Sequence, residues 1–322
     1  AGGGISTTWL SDPARAALVD RYVHVGSLPM DGPAGPDGEI PTLQLWSDGD
    51  LIIEDKGDIP GATNVNLAPQ DHYEVATSEA SFTALYEHLV GVPPAHADLK
   101  EELPILLSGR AITFAENRPM PSTITVHALD PRTGERQPES EQSTVTTPEG
   151  HFEGLLGNHE VPMEFHVVPE DGSLPIHYFH EPFDRSDPLV YLRGLPGPGS
   201  IAGLLLANLP LSEDQASLII FSASKALVAG RDSLTLNTVE LLTEETAPPS
   251  NTTIALFLQD ENEDQESSWE PIALFTGFPF LAGLDVALPV DESPIELNLN
   301  GRILRLKPWP SLTTGPMVVV FD

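Results

Sequence analysis

No cysteine occurs in the 322 residues, so the chain has neither a disulfide framework nor a thiolate nucleophile nor a Cys-ligated metal. Positive charge is scarce. Lys and Arg total 15 against 48 Asp and Glu, a formal net charge of −33, which repels phosphate backbones and anionic membrane surfaces and argues against nucleic acid as a partner. A surface of that sign keeps a secreted or salt-exposed protein in solution without naming a substrate. Long apolar runs are missing as well: LIIFSASKALVAG falls short of the roughly 20 residues that span a bilayer and is interrupted by Lys225. No transmembrane segment is expected. The sequence opens AGGGIST with neither an initiator Met nor a signal peptide, and the expectation is a secreted protein whose beginning is missing here.

What is present is enough for real cores. Hydrophobic residues make up 40% and charged residues 20% of a chain whose length implies two or three domains. The first hundred residues have α/β character. Asp12 stands where an N-cap belongs, ahead of Pro13 at a first helical position. RYVHVGSL (21–28), TLQLW (42–46) and ATNVNL (62–67) read as strands, and the last follows the turn Ile59-Pro60-Gly61. TSEASFTALYEHLVG reads as an amphipathic helix with Thr77 or Ser78 capping it and Phe82, Leu85 and Leu89 on one apolar stripe.

From about residue 104 the pattern changes to short strands between Pro, Gly and acidic turns, an all-β sandwich signature. ILLSGRAITF, STITVHAL, VPMEFHVVP, LPIHYFHE and PLVYLRGL come first. GLPGPGSIAG (194–203) reads as a seam to a second β-rich stretch with SLIIFSA, TIALFLQD, PIALFTG, IELNLNGRILRL and PMVVVFD. Three domains follow, at 1–100, 104–200 and 201–322, unless the last two form one larger β domain.

Strands joined by helical or long loop segments imply parallel crossovers, and ligands on such sheets sit at the carboxyl ends of the strands. Asp50 and His72 both fall just past such ends, 22 residues apart. A carboxylate and an imidazole so placed are two thirds of a Ser-His-acid triad, in which the acid orients the His and stabilises the imidazolium. The bland alternative is an acidic turn and a loop His, both solvated. His177 and His180 in HYFH do not read as a metal pair, since residues three apart on a strand point to opposite faces. DENEDQE (260–266) matches a calcium loop in composition only. The aromatics of WEPIALFTGFPF read as core rather than as an acyl-binding surface.

LWSDGDLII, IPGATNVNL and PQDHYEVATSEASF together resemble the last third of a bacterial α/β-hydrolase lipase, also known in a thermophilic archaeal type with a β-rich C-terminal domain. The resemblance is specific over residues 1–92 and looser beyond. It implies the C-terminal part of an α/β-hydrolase parallel sheet followed by one or two β-sandwich domains, the first also similar to a transthyretin or carboxypeptidase-regulatory sandwich. Its Ser-x-x-Asp turn fits Ser47 to Asp50, which makes Asp50 the triad acid, with Asp48 as the second choice, and His72 the base.

The family's nucleophile sits in Gly-x-Ser-x-Gly, a pattern absent from this sequence; AGGGIS resembles the half of the elbow after the serine. The resemblance therefore implies a serine just before Ala1, with the Ala1 N–H in the oxyanion hole. It further implies hydrolysis of lipid or small-molecule esters by acyl transfer without a cofactor, and lipid-interface contact through the β domains. By itself the chain would be inactive. Two other readings stand beside it: a non-catalytic binding or adhesion protein carrying a vestigial hydrolase remnant, and a related chemistry such as polyester depolymerisation or thioester hydrolysis.

Overall fold

The computed structural model describes residues 2–196, 209–291 and 293–322, which form two compact units. The first comprises Ala1–Asp98 with two later segments, Ser224–Leu227 and Pro248–Thr252, and the second takes the rest of the chain.

In the first unit β1 (Tyr22–Val25), β2 (Thr42–Trp46) and β3 (Thr63–Asn66) form a parallel sheet in that order. Val25 pairs with Leu45 and Leu45 with Val65, so the three strands end side by side. The central strand is buried from Thr42 to Leu45, as in a parallel strand covered on both faces, and it buries the polar Thr42 and Gln44 in alternation with its leucines. Leu43, Leu45, Leu67 and Val75 share one core, and Leu10, Ala16, Ala34 and Ile40 another.

Helices α1 (Gly2–Leu10), α2 (Pro13–Ala16), α3 (Glu74–Thr77) and α4 (Glu79–Val90) accompany the sheet. Asp12 caps α2 by accepting from the Ala14 N–H at 2.8 Å. Ser78 caps α4 by accepting from the Ser81 N–H at 3.1 Å, and the helix ends at Gly91. The stripe expected on α4 is not its packed face: Phe82 and Leu89 are exposed, while Ser81 is buried, its hydroxyl donating to the Val75 carbonyl at 2.6 Å.

The second unit is built of β-sheets. One has the order β10 (Asp187–Gly194), β4 (Leu106–Thr113), β7 (His151–Leu156). Another has eight strands: β15 (Leu281–Asp285), β14 (Ala255–Gln259), β11 (Leu218–Ser222), β18 (Met317–Phe321), β9 (Ile176–His180), β8 (Met163–Pro169), β5 (Ser122–Ala128) and β6 (Gln142–Val145). A third runs β13 (Val239–Glu240), β12 (Leu234–Leu236), β16 (Ile295–Leu299), β17 (Arg302–Leu306) and is antiparallel throughout. Leu107, Phe152 and Leu192 from the first of these sheets share a core with Ile124, Phe165, Tyr178, Ile219 and Phe257 from the second.

These sheets correct the expected fold class. Strand accounts for 34% and helix for 12% of the structure, and among the described residues no α/β-hydrolase core is evident. Among the described residues the only all-parallel sheet has three strands, because the first hundred residues supply only three strand-forming runs. The eight-stranded sheet mixes parallel and antiparallel pairs and takes strands from both sides of residues 197–208. The seam expected at 194–203 lies from residue 197 onward outside the described residues. PIALFTG is not a strand either. Its centre is a 3-10 turn, Ala273–Phe275, and the strand follows at LAGLD. There Gly283 lets the Phe275 ring approach to where a Cβ would stand 2.4 Å from it.

Strand β9 shows how its alternation sorts two histidines. His177 faces Glu164, its Nδ1 2.6 Å from the carboxylate. His180 turns to the opposite side, where its ring stacks on Phe183 at 5.3 Å and meets the edge of Phe165 at 5.4 Å. Both of its ring nitrogens are buried without a hydrogen-bond partner among the described residues. Burial pushes His180 down to about 4 from an ordinary value of 6.5. The unfolded chain thus takes up a proton near pH 6.5 that the folded imidazole refuses until about pH 4. Stability falls across that window, by up to about 1.4 kcal/mol per pH unit, and is insensitive to this group above it.

His180→Phe is expected to raise stability at pH 7 by about 1 kcal/mol by removing two unsatisfied nitrogens. The gain should grow on acidification from pH 6.5 towards 4, measured as urea midpoints against pH. An equal gain at pH 7 and pH 5 would contradict the assignment.

Candidate functional site

Because the three parallel strands end in register, the loops that follow them converge. Gly26 comes after β1, the turn 47–50 after β2, and the loop 67–73 after β3. The turn after β2 is internally tied: the Gly49 N–H donates to the Ser47 hydroxyl at 3.0 Å and the Asp50 N–H to the Ser47 carbonyl at 3.2 Å. Lys56 donates to the carbonyls of Asp50 and Ile53. Glycine is required at 49 by contact, since a Cβ there would stand 2.1 Å from the Pro69 carbonyl oxygen and 2.8 Å from that of Gln70. The turn is thereby pressed against the loop that bears the histidine.

Asp50 and His72 meet. The His72 Nδ1–H donates to Asp50 Oδ2 at 2.7 Å, with the carboxylate 2% and the imidazole 23% exposed. Asp50 Oδ1 accepts from the backbone N–H groups of Ile52 at 2.9 Å and Ile53 at 3.1 Å. Burial alone would raise this carboxyl, but the hydrogen bonds from His72, Ile53 and Ile52 hold it below its ordinary value. On its other side the imidazole packs on Gly26, whose φ of +47° favours glycine and where a Cβ would be 3.5 Å from His72 Cε1.

The second choice of acid is engaged elsewhere. Asp48 accepts from the Asn66 amide at 2.7 Å. Ala1, the expected oxyanion donor, lies outside the described residues.

A cavity of about 580 Å³ is lined in part by Ser27, Leu28 and Met30, which follow β1, and by Ile53, whose N–H holds Asp50. His24 also borders it but is fully committed. Its Nε2 faces the Leu28 carbonyl at 2.8 Å and must therefore carry the proton, leaving Nδ1 to accept from the Tyr22 hydroxyl at 3.0 Å. Tyr22 in turn bonds Ser6 Oγ at 2.7 Å, fastening α1 to β1. Burial, opposed by the Leu28 bond, lowers the His24 pKa and keeps this ring neutral.

Several supporting residues escape a sequence reading. Ile52 and Ile53 act through backbone N–H groups, which leave no mark on side-chain chemistry. Asp71 had a readable signal: Asp-x-x-Glu at 71–74 is a capping box in which the Asp71 carboxylate accepts from the Glu74 N–H at 2.9 Å and the Glu74 carboxylate from the Asp71 N–H at 3.4 Å.

Two measurements check this geometry. Gly49→Ala is expected to cost roughly 1–3 kcal/mol in urea unfolding, because backbone must move to admit the methyl. For Asp50, whose folded pKa is depressed, the stabilisation is present above its unfolded value of 3.8 and lost as pH falls through the lower folded one. Asp50→Asn should remove that part of the acid limb, and an unchanged limb would count against the carboxylate's hydrogen bonds.

Comparison with known families concerns the second unit. A family model described as a lipase C-terminal domain matches residues 104–195, and a second model, described as a C-terminal domain, matches residues 207–319. No curated protein matches the chain. Residues 104–195 are thus similar to a domain that ends lipases.

Proposed function

We propose that Asp50 and His72 are the acid and the base of a Ser-His-Asp acyl-transfer relay that hydrolyses carboxylic esters of the kind lipases accept. The observation that carries the reading is the 2.7 Å bond from His72 Nδ1 to a carboxylate only 2% exposed. The lipase C-terminal domain match over residues 104–195 supports it independently.

The chemistry follows from the proton inventory. With Nδ1–H committed to Asp50, the basic lone pair of His72 is at Nε2, the nitrogen that takes a serine proton and returns it to the leaving alcohol. Asp50 fixes that tautomer and balances the positive charge that forms on the ring. The carboxylate does not accept the proton itself. The 322 residues hold no Gly-x-Ser-x-Gly, so on this reading the nucleophile is supplied from outside them. The mostly apolar lining of the 580 Å³ cavity suits an uncharged acyl or alkyl group rather than a charged one.

Joined to the residues encoded directly before Ala1, the chain is expected to hydrolyse p-nitrophenyl esters and to be labelled by a fluorophosphonate. His72→Ala and Asp50→Asn should each lower kcat by roughly 10³–10⁴-fold. The absence of a serine from those preceding residues, or full activity in His72→Ala, would sink the reading.

A further inference from the structure

The loop that carries His72 is fixed by more than its neighbours in sequence. Its first half is held locally: the Gln70 N–H donates to the Leu67 carbonyl at 3.0 Å, and the Gln70 amide donates to Ser78 Oγ, the cap of α4, at 2.9 Å. The second half hangs on Asp71. Asp71 Oδ1 accepts from the N–H groups of Tyr73 at 3.0 Å and Glu74 at 2.9 Å, closing the turn that opens α3. That is all a helix start asks of a cap.

The other oxygen does something a cap does not require. Asp71 Oδ2 accepts from the Ala226 N–H at 3.1 Å, a bond between residues 155 apart in sequence. Ala226 and Leu227 are fully buried, and the same short segment meets α3 again where the Thr77 hydroxyl donates to the Ser224 carbonyl. Asp71 is 7% exposed, so this carboxylate was taken out of water to make these bonds.

We propose that Asp71 is a positioning residue for His72: by bonding its own loop with one oxygen and the Ser224–Leu227 segment with the other, it fixes the backbone from which the imidazole reaches Asp50. The inference rests on the relay reading for its functional meaning, but the placement of the ring can be tested without turnover. His72 is the next residue in the chain, and any rotation of the Asp71 peptide swings the imidazole away from a carboxylate that is itself pinned by Ile52 and Ile53.

The test reads the His72 proton in the 322-residue chain labelled with ¹⁵N-histidine. The Nδ1–H shared with Asp50 gives a far-downfield signal, assigned by its loss in Asp50→Asn. Asp71→Asn keeps the shape but leaves one carbonyl oxygen to serve both sets of donors. It is expected to broaden or shift that signal and to speed its exchange with solvent about tenfold, as befits the loss of one buried bond.

Ala226→Pro removes the distant N–H, at the cost of a ring at a buried position, while Asp71 keeps its own cap bonds, and the same change is expected. Should either variant fail to fold, Thr77→Val, which deletes the exposed bond to Ser224, should move the signal in the same direction by less. Asp71→Glu should not restore it. If Asp71→Asn and Ala226→Pro lower the melting temperature while the signal keeps its shift and exchange rate well below melting, Asp71 serves stability alone and the proposal is overturned. A failure of ester hydrolysis in the longer chain would sink the relay reading and leave this result standing.

Discussion

A carboxylate removed from water must be met by donors, and the donors it recruits decide what its neighbours can do. Among the described residues two buried carboxylates each take an Nδ1–H from a histidine: Asp50 with His72 at 2.7 Å and Glu164 with His177 at 2.6 Å. Their other donors differ. Glu164 is gripped by the Arg136 guanidinium through two bonds of 2.7 Å. Burial alone would raise this carboxyl, but the Arg136 and His177 bonds bring it to about 2. Its charge is cancelled where it stands, and His177 is sealed between the His166 and Trp309 rings, 2% exposed. That pair is a strut. Asp50 is met by two peptide N–H groups, which satisfy its lone pairs without cancelling its charge. Among the described residues His72 therefore faces a carboxylate whose charge no Lys or Arg cancels through its side chain, and it remains partly open to solvent.

Much of this was legible in sequence and some was not, for physical reasons. TLQLW is a strand at the expected residues, its Leu43 and Leu45 alternating with Thr42 and Gln44 and all four buried. That Asp50 and His72 come together could be read because parallel strands that end in register bring successive loops together, and one crossover and one strand lie between the two residues. The helix from Glu79 was announced by Ser78 and closed by Gly91. Its packed face was not, because the turn 74–78 lets Ser81 rather than the apolar stripe meet Val75. Among the described residues the hydrolase sheet expected from the motifs around Asp50 and His72 is reduced to three parallel strands, since local motifs specify a turn and its chemistry but not how many strands assemble beside it.

Long-range pairing was the least readable layer. Nothing in LIIFS, IHYFH or MVVVF tells that β18, the last strand of the chain, lies parallel between β11 and β9, because an apolar run carries no information on the direction of its partner. The strand expected at PIALFTG instead forms at LAGLD, where Gly283 leaves room for the Phe275 ring. The bond from Asp71 to Ala226 belongs to the same class: one partner is a backbone N–H and the separation is 155 residues. A capping box can be read off 71–74, but the second oxygen's partner exists only in three dimensions.

Net charge acts on this arrangement at long range. The protein carries −33, and fields of that sign favour any positive charge formed at its surface. On the proposed reading the only positive charge that develops during acyl transfer is on His72, and its nearest counter-charge is Asp50 at 2.7 Å. The two products differ in kind. An alcohol leaves without regard to the field, whereas a carboxylate product is repelled by it, more strongly at low salt than at high, since screening sets in beyond about 8–10 Å at physiological ionic strength. An uncharged ester entering and an anion leaving is the traffic an acidic surface favours in both directions. On the proposed reading, the composition that names no substrate by itself thus favours an uncharged substrate over an anionic one.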